Sequence, residues 1–118
     1  MPQITVDYSA PLADAFDRKG FALALHKVVV ETADAKIEAC KTRFRQTEDT
    51  VVGAEADGHA LVHIMVALLA GRTDETKAAL TEAALRVLRA HVKPVDGLTL
   101  HVSAETRDLD DSYRKFVE

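Results

Sequence analysis

Pro2 directly follows the first methionine of the chain, a position that can give proline a chemistry it lacks elsewhere. If Met1 is removed, the ring nitrogen of Pro2 changes from an amide nitrogen into a free secondary amine. Such an amine can take a proton from carbon or from an enol when burial or nearby cations lower its pKa toward neutrality. Proline is also common as a second residue, so its surroundings must support the assignment. Pro2 is the candidate acid/base of this chain.

Four cations are candidates for binding an anionic ligand. Lys41, Arg43 and Arg45 occupy alternate positions, so on a strand they would share one face. Arg72 lies in the turn of residues 70–73, ahead of a predicted helix whose unpaired N–H groups and positive dipole end favour anions. A single surface cation is usually solvated, so the prediction depends on the group. We expect Arg72, with Lys41 or Arg43, to bind a carboxylate.

The remaining reactive side chains do not form a recognisable catalytic or metal motif. Cys40 is the only cysteine, and its neighbours offer no histidine that would activate the thiol, so it is predicted to be a small core residue. His59 and His63 could share a metal ion on a helix, but on a strand they would lie about 13 Å apart. Because this segment is predicted to be a strand, no metal site is expected.

The elements that must position these residues can be read from hydrophobic periodicity. Alternation favours strands, spacing of three and four favours helices, and Thr73 is typical of a helix N-cap, followed by two acidic residues. The predicted elements are a strand over 3–8, a helix over 12–32, a strand over 37–48, a buried strand over 61–69, a helix from Thr73 that ends before Pro94, and a strand over 98–104.

This order repeats strand, helix, strand, with the second half beginning about sixty residues after the first. It predicts an α+β fold of duplicated β-α-β units, in which a four-stranded mixed sheet carries both helices on one face. The third strand is apolar on both sides, so the other face of the sheet needs a cover. A partner subunit is the simplest one, which predicts a symmetric oligomer. Residues 1–118 are expected to form a single domain.

Composition and charge exclude several partners. The formal net charge is −4, without a long basic run, so nucleic acid is not expected as a partner. The longest apolar stretch, residues 60–70, is too short to span a bilayer, and no secretory signal is visible, so no membrane association is expected. A single cysteine is consistent with a reducing compartment, and we expect a cytoplasmic protein.

The whole pattern resembles a known family. Pro2 leading directly into a strand, the doubled β-α-β order and the short length resemble the tautomerase superfamily. Within it, the chain is similar to 5-carboxymethyl-2-hydroxymuconate delta-isomerase over nearly its full length. The residues that carry this likeness are Lys41-Thr42-Arg43, the block Leu61-Val62-His63-Ile64 and the turn Ala70-Gly71-Arg72-Thr73.

The resemblance implies a cofactor-independent homotrimer in which Pro2 is the acid/base and Arg72 binds substrate. The implied reaction moves a proton by a 1,3- or 1,5-shift within an anionic dienol dicarboxylate, in the breakdown of homoprotocatechuate-type aromatics. Where the family has Arg-x-Arg, this chain has Lys41 and Arg43. Lysine is a point charge and cannot bind a carboxylate bidentately, so the contact at position 41 is expected to differ. The chain also lacks the tryptophans of close family members.

Two alternatives to this isomerase remain open from the residues. One is another tautomerase-superfamily activity, such as a keto-enol tautomerase, a decarboxylase or a dehalogenase, which would use the same amine in a different pocket. The other is a non-catalytic trimeric binding protein with the same fold. Processing separates the second alternative from the enzymes, because a chain that retains Met1 has no free prolyl amine.

Overall fold

Two strand-helix-strand units make up this computed structural model, which describes residues 2–118. The elements are β1 (Gln3–Ser9), α1 (Arg18–Ala33), β2 (Lys41–Thr47), β3 (His59–Leu68), α2 (Asp74–Arg89) and β4 (Thr99–Asp108). Two short 3-10 turns, Ala10–Leu12 and Ile37–Ala39, precede α1 and β2. No helix within these residues has the length and apolar character needed to cross a membrane.

The four strands form one mixed sheet in the order β2-β1-β3-β4. Each unit pairs its own strands in parallel, β1 with β2 and β3 with β4, whereas β1 and β3 are antiparallel. The predicted mixed sheet is therefore confirmed. One consequence matters for the site: the start of β1, the start of β2 and the end of β3 all lie at the same end of the sheet.

Both helices pack on one face of this sheet, as predicted. Alternate residues of β1 and β3 point to that face and are buried, since successive strand side chains point to opposite sides. The helices contribute residues spaced by four, which lie on one side of a helix. The fully buried side chains of this core include Ile4, Val6, Val62, Ile64 and Val66 from the sheet, Phe21, Leu25 and Val29 from α1, and Leu80 and Leu88 from α2.

Two helix starts illustrate how capping sets boundaries. Thr73 caps α2 as predicted, with its side chain accepting a hydrogen bond from the backbone N–H of Thr76. For α1, the predicted start at residue 12 was wrong. The carboxylate of Asp17 accepts the N–H of Gly20 at 3.1 Å, so the helix begins at Arg18.

Strand boundaries also differ from the prediction. Residues 37–39 form a 3-10 turn instead of the start of β2, which begins at Lys41. β3 begins two residues earlier than expected, at His59. β4 extends to Asp108 instead of 104, because it stays in parallel register with β3 up to Leu68. Pairing with β3 along its whole length therefore extends a strand whose own sequence is weakly alternating.

The sheet face away from the helices is called here the open face. It carries Gln3, Thr5 and Asp7 of β1, Lys41, Arg43 and Arg45 of β2, His59, Leu61, His63, Met65 and Ala67 of β3, and His101, Ser103, Glu105 and Arg107 of β4. Along β3 this face is mixed: two histidines alternate with apolar residues, whereas the opposite side of β3 is wholly apolar. The expectation that β3 is apolar on both sides therefore holds fully only for the helix side.

Candidate active site

Pro2 is buried and fixed at the start of β1. Its carbonyl oxygen accepts a hydrogen bond from the backbone N–H of Lys41 at 3.1 Å, so the first residue of β2 lies beside it. The antiparallel register pairs Gln3 with Ala67, which brings the end of β3 to the same place. The sequence therefore anchors Pro2 as expected from a strand that begins at residue 3. The removal of Met1, on which a free amine depends, lies outside the described residues.

Lys41 and Arg43 lie at the Pro2 end of the open face, and both side chains are exposed. The Lys41 ammonium donates to the carbonyl oxygen of Ala39 at 3.0 Å. The Arg43 guanidinium donates through Nη1 to Oε1 of Gln3, the residue after Pro2, at 3.3 Å. The structure thus brings Pro2, Lys41 and Arg43 to one end of the sheet, and Lys41, Arg43 and Arg45 share one face of β2, as their alternation predicted.

Arg45, the third cation of β2, is already paired with an anion. Its Nε and Nη2 donate to the two carboxylate oxygens of Asp7 at 2.7 and 3.2 Å. This two-point hydrogen bond, and then the charge of Asp7, raise the pKa of the Arg45 guanidinium. Because its charge is matched within the chain, Arg45 contributes less than Arg43 to a local positive potential.

Arg72 binds backbone carbonyls, a role that the sequence did not reveal. Its Nε and Nη2 donate to the carbonyl oxygen of Ala33 at 3.1 and 2.9 Å, and its Nη1 donates to that of Leu69 at 3.1 Å. Ala33 is the last residue of α1, and Asp34 after it adopts a left-handed conformation with φ of 54°. The guanidinium therefore satisfies a helix-end carbonyl that would otherwise lack a partner and ties α1 to the turn after β3.

Arg72 also lines a cleft of about 410 Å³ between the end of α1 and the start of α2. The other lining residues are Thr32, Ala33, Asp34, Ala70, Gly71, Thr73 and Thr76. Since α1 packs on the helix side of the sheet, this cleft lies at the Pro2 end but on the side away from Lys41 and Arg43. Within one chain, Arg72 and the two β2 cations therefore approach that end from opposite faces.

Cys40 belongs to the core, in agreement with its predicted role. Its side chain is buried, and its Sγ lies 3.5 Å from the carbonyl oxygen of Lys36. Burial raises the pKa of the Cys40 thiol, which keeps it protonated near neutral pH. A protonated, buried thiol is a poor nucleophile, although it lies next to the strand start that anchors Pro2.

The histidines of β3 pair with β4 instead of with each other. His59 Nδ1 lies 2.9 Å from His101 Nε2. His63 Nδ1 lies 2.6 Å from the hydroxyl oxygen of Ser103. His63 Nε2 also lies 2.7 Å from Glu105, and this hydrogen bond, followed by one from Arg107, lowers the pKa of the Glu105 carboxyl. Within residues 2–118, no group of three ligating side chains is placed to hold a metal ion.

One contact near Pro2 had no signal in the sequence. The phenol oxygen of Tyr113 lies 3.2 Å from Nε2 of Gln3, although the two residues are 110 positions apart. The chain after β4 therefore returns to the start of β1. Neither periodicity nor spacing could have indicated this contact, because residues after 108 belong to no helix or strand.

Comparison with known proteins identifies the family. Residues 2–115 match the family model of 5-carboxymethyl-2-hydroxymuconate isomerase. The chain belongs to this family. That membership supports an isomerase or tautomerase type of function and confirms the resemblance to 5-carboxymethyl-2-hydroxymuconate isomerases. No curated protein sequence matches the chain.

Solved structures related to this 5-carboxymethyl-2-hydroxymuconate isomerase family member share its fold. A 5-carboxymethyl-2-hydroxymuconate isomerase from Deinococcus radiodurans R1 aligns with a TM-score of 0.79 at 20% identity, covering 97% of this chain and 88% of that one. The fused 4-OT protein Q0, described as a symmetric trimer, aligns at 0.75 and 25% identity, covering 97% and 90%. A malonate semialdehyde decarboxylase aligns at 0.70 and 15% identity, covering 98% and 91%. Together they confirm the predicted fold, a tautomerase-type sheet with two helices.

Proposed function

We propose that this protein is a cofactor-independent isomerase that moves a proton within an anionic dienol, such as 5-carboxymethyl-2-hydroxymuconate, with Pro2 as acid/base. One observation carries the proposal: Pro2 is buried at the start of β1, its carbonyl accepts the backbone N–H of Lys41, and Arg43 donates to the side chain of the next residue, Gln3. A titratable amine anchored at the strand end that carries these two cations would suit proton transfer on an anionic substrate.

The proposed reaction needs only a base that returns its proton. With Met1 removed, the Pro2 amine takes the proton of the enol hydroxyl, the oxygen electron pair forms the C=O bond, and the double bond shifts. The protonated amine then delivers that proton to the carbon at the far end of the shifted system. Lys41 and Arg43 disfavour the charged form of the amine, which lowers its pKa and leaves free base near neutral pH. Positioned proton transfer contributes roughly 10² to 10⁴ in rate.

The cations would also bind the substrate carboxylates. The protein carries a net charge of −4, so a substrate with three carboxylates requires a locally positive site, and Lys41 and Arg43 supply one on the open face. Arg72 is the proposed third contact. Although it holds two backbone carbonyls, its guanidinium has five N–H donors in all, so a carboxylate in the cleft can still accept from it.

Because Arg72 and the β2 cations lie on opposite faces of one chain, we propose that a complete site combines two subunits of a homotrimer. The symmetric trimer described for the related fused 4-OT protein supports this assembly. So does the open face, where Leu61 and Met65, on either side of His63, are partly exposed apolar side chains that a partner subunit would bury.

Sedimentation tests the homotrimer. We expect a single species with three times the mass of the chain. Replacing Met65 by aspartate places an unpaired carboxylate in the proposed interface, which should dissociate the trimer. Leu23→Asp adds the same charge at a side chain that is 66% exposed on α1, and it should leave the trimer intact. A wild-type chain that sediments as a monomer at micromolar concentration would reject the assembly.

The activity itself is tested with two enols. The processed protein, with loss of Met1 verified by intact mass, is assayed by ultraviolet absorbance on 5-carboxymethyl-2-hydroxymuconate and on the monocarboxylate enol of phenylpyruvate. We expect kcat/KM at least ~10-fold higher for 5-carboxymethyl-2-hydroxymuconate, which carries three carboxylates, because each charge-assisted hydrogen bond contributes about 1.5–3 kcal/mol. Turnover of neither enol would support a non-catalytic binding protein, and a preference for the monocarboxylate would support a general keto-enol tautomerase.

Arg43 and Arg45 provide a matched pair for testing carboxylate binding. Arg43→Ala should raise KM for 5-carboxymethyl-2-hydroxymuconate by about 10-fold or more, because it removes a charged donor that lies against Gln3, the residue after Pro2. Arg45→Ala removes the same side chain two residues away, where it is neutralised by Asp7, and should change KM less than about 2-fold. Equal effects of the two substitutions would show that general surface charge, and not Arg43, sets the affinity.

A further inference from the structure

The chain after β4 is folded back toward Pro2 by a defined turn. The backbone N–H of Leu109 donates to the carbonyl oxygen of Leu68 at 2.6 Å, which fixes the end of β4 to the end of β3. The Asp110 carboxylate then accepts the N–H of Ser112 at 2.8 Å, and the Asp110 carbonyl accepts the N–H of Tyr113 at 3.0 Å. Hydrogen bonds from Ser112 lower the pKa of the Asp110 carboxyl. The position of Tyr113 is thus set by local contacts.

The hydrogen-bond directions around Gln3 determine what the Tyr113 hydroxyl can do. The Arg43 guanidinium only donates, so the Gln3 atom facing it at 3.3 Å must be the carbonyl oxygen Oε1. The amide nitrogen Nε2 of Gln3 therefore faces Tyr113 and donates to the phenol oxygen at 3.2 Å. As a result, the O–H of Tyr113 is not used by Gln3.

Tyr113 is half-buried, and its hydroxyl contacts the side chain of the residue next to the proposed base. Within residues 2–118, its hydrogen-bond partner is Gln3, which directly follows Pro2. The other groups at this position, Lys41 and Arg43, are cations that match carboxylates in charge. A neutral hydroxyl donor is better suited to an oxygen that becomes charged only during the reaction.

We propose that Tyr113 is a further catalytic residue, whose hydroxyl donates a hydrogen bond to the enol oxygen of the substrate bound beside Pro2. This inference rests on the proposed function. As Pro2 removes the enol proton, negative charge grows on that oxygen and the hydrogen bond from Tyr113 strengthens. Tyr113 keeps its proton throughout, and the proton taken by Pro2 is the one delivered to carbon, so no other reactant is needed.

The test is Tyr113→Phe, which keeps the ring and removes only the hydroxyl. We expect kcat on 5-carboxymethyl-2-hydroxymuconate to fall about 10- to 100-fold while KM changes less than about 3-fold, as for a donor that acts mainly in the transition state. The matched control is Tyr8→Phe. It removes the other tyrosine hydroxyl of the chain, at the far end of β1 where it donates to Gln46, and should leave kcat within about 2-fold.

A double-mutant cycle tests whether Gln3 positions this hydroxyl. Gln3→Leu should lower kcat in the wild-type background but cause little further loss in Tyr113→Phe, because both remove the same oriented donor. Additive losses would show that Gln3 acts independently of Tyr113. The two substitutions show a coupling in kcat only if the hydroxyl takes part in the reaction. A purely structural tyrosine would change the unfolding midpoint and leave kcat unaffected.

Two outcomes would overturn the inference: an unchanged kcat in Tyr113→Phe, or a rise in KM alone, which would make Tyr113 a ground-state contact. These outcomes are distinct from failure of the proposed function. If Pro2→Ala abolishes turnover and Tyr113→Phe keeps it, only the role of Tyr113 is lost. If Pro2→Ala retains full turnover, the proposed function, with Pro2 as acid/base, is itself contradicted.

Discussion

Replacing Pro2 by alanine is expected to reduce kcat on 5-carboxymethyl-2-hydroxymuconate about 10²- to 10⁴-fold, the contribution of a positioned acid/base. Alanine leaves a primary amine at the same position, but it loses the ring that fixes the nitrogen relative to the strand. The carbonyl of residue 2 still accepts the N–H of Lys41, so the start of β1 should be retained. Substrate affinity should change much less than kcat, because the cations remain.

The control for this substitution is Pro94→Ala, which removes a proline from the loop between α2 and β4. It should keep kcat within about 2-fold, as is usual for surface substitutions away from a site. Steady-state kinetics with both variants, at equal protein concentration and with the N-terminal residue verified by mass, measures the difference. A Pro2→Ala enzyme that keeps more than a third of wild-type kcat would mean that another group is the base.

Replacing Arg72 by alanine is expected to lower the free energy of unfolding by about 2–4 kcal/mol, because hydrogen bonds from a charged donor contribute about 1.5–3 kcal/mol each and are not additive. Ala33 is only 4% exposed. The substitution leaves its carbonyl oxygen without the two hydrogen bonds that the Arg72 guanidinium donates. It also releases the turn after β3 from the end of α1. Urea unfolding at fixed protein concentration measures this loss.

Arg72→Lys separates this structural role from simple charge. An ammonium cannot donate to Ala33 and Leu69 with the planar geometry of a guanidinium, so lysine should recover less than half of the lost stability. If Arg72 also binds substrate, KM for 5-carboxymethyl-2-hydroxymuconate should rise in both variants even where they are fully folded. Unchanged stability in Arg72→Ala would contradict the role of Arg72 in joining α1 to the turn.

The fold was largely predictable because its signals are local. Three features depend on neighbouring residues and appear where expected: the alternation in β1, the helix cap at Thr73 and the end of α2 before Pro94. The start of α1 was not predictable, because Asp14 and Asp17 are both reasonable near a helix start and only the hydrogen bond to Gly20 selects Asp17. Likewise, β4 is longer than its own sequence suggests because it follows the register of β3.

The site was predictable only in part, for a similar reason. Alternation indicated that Lys41 and Arg43 share one face of a strand, but not that β2 begins at Lys41, beside the start of β1 that follows Pro2. The pairing of Arg45 with Asp7 depends on register between strands 38 positions apart. The contacts of Arg72 with α1 and of Tyr113 with Gln3 also join distant segments. Periodicity carries no information about such pairs, so the role of Tyr113 emerges only from the structure.

The base itself can be observed by titrating the Pro2 nitrogen by NMR in protein carrying 15N-labelled proline. If a free prolyl amine beside Lys41 and Arg43 performs the proton transfer, its pKa should lie below that of the same amine in an unfolded peptide, since nearby cations disfavour its protonation. It should also coincide with the acidic limb of the kcat/KM profile. A nitrogen that titrates like the peptide, or a pKa that does not match that limb, would contradict the account.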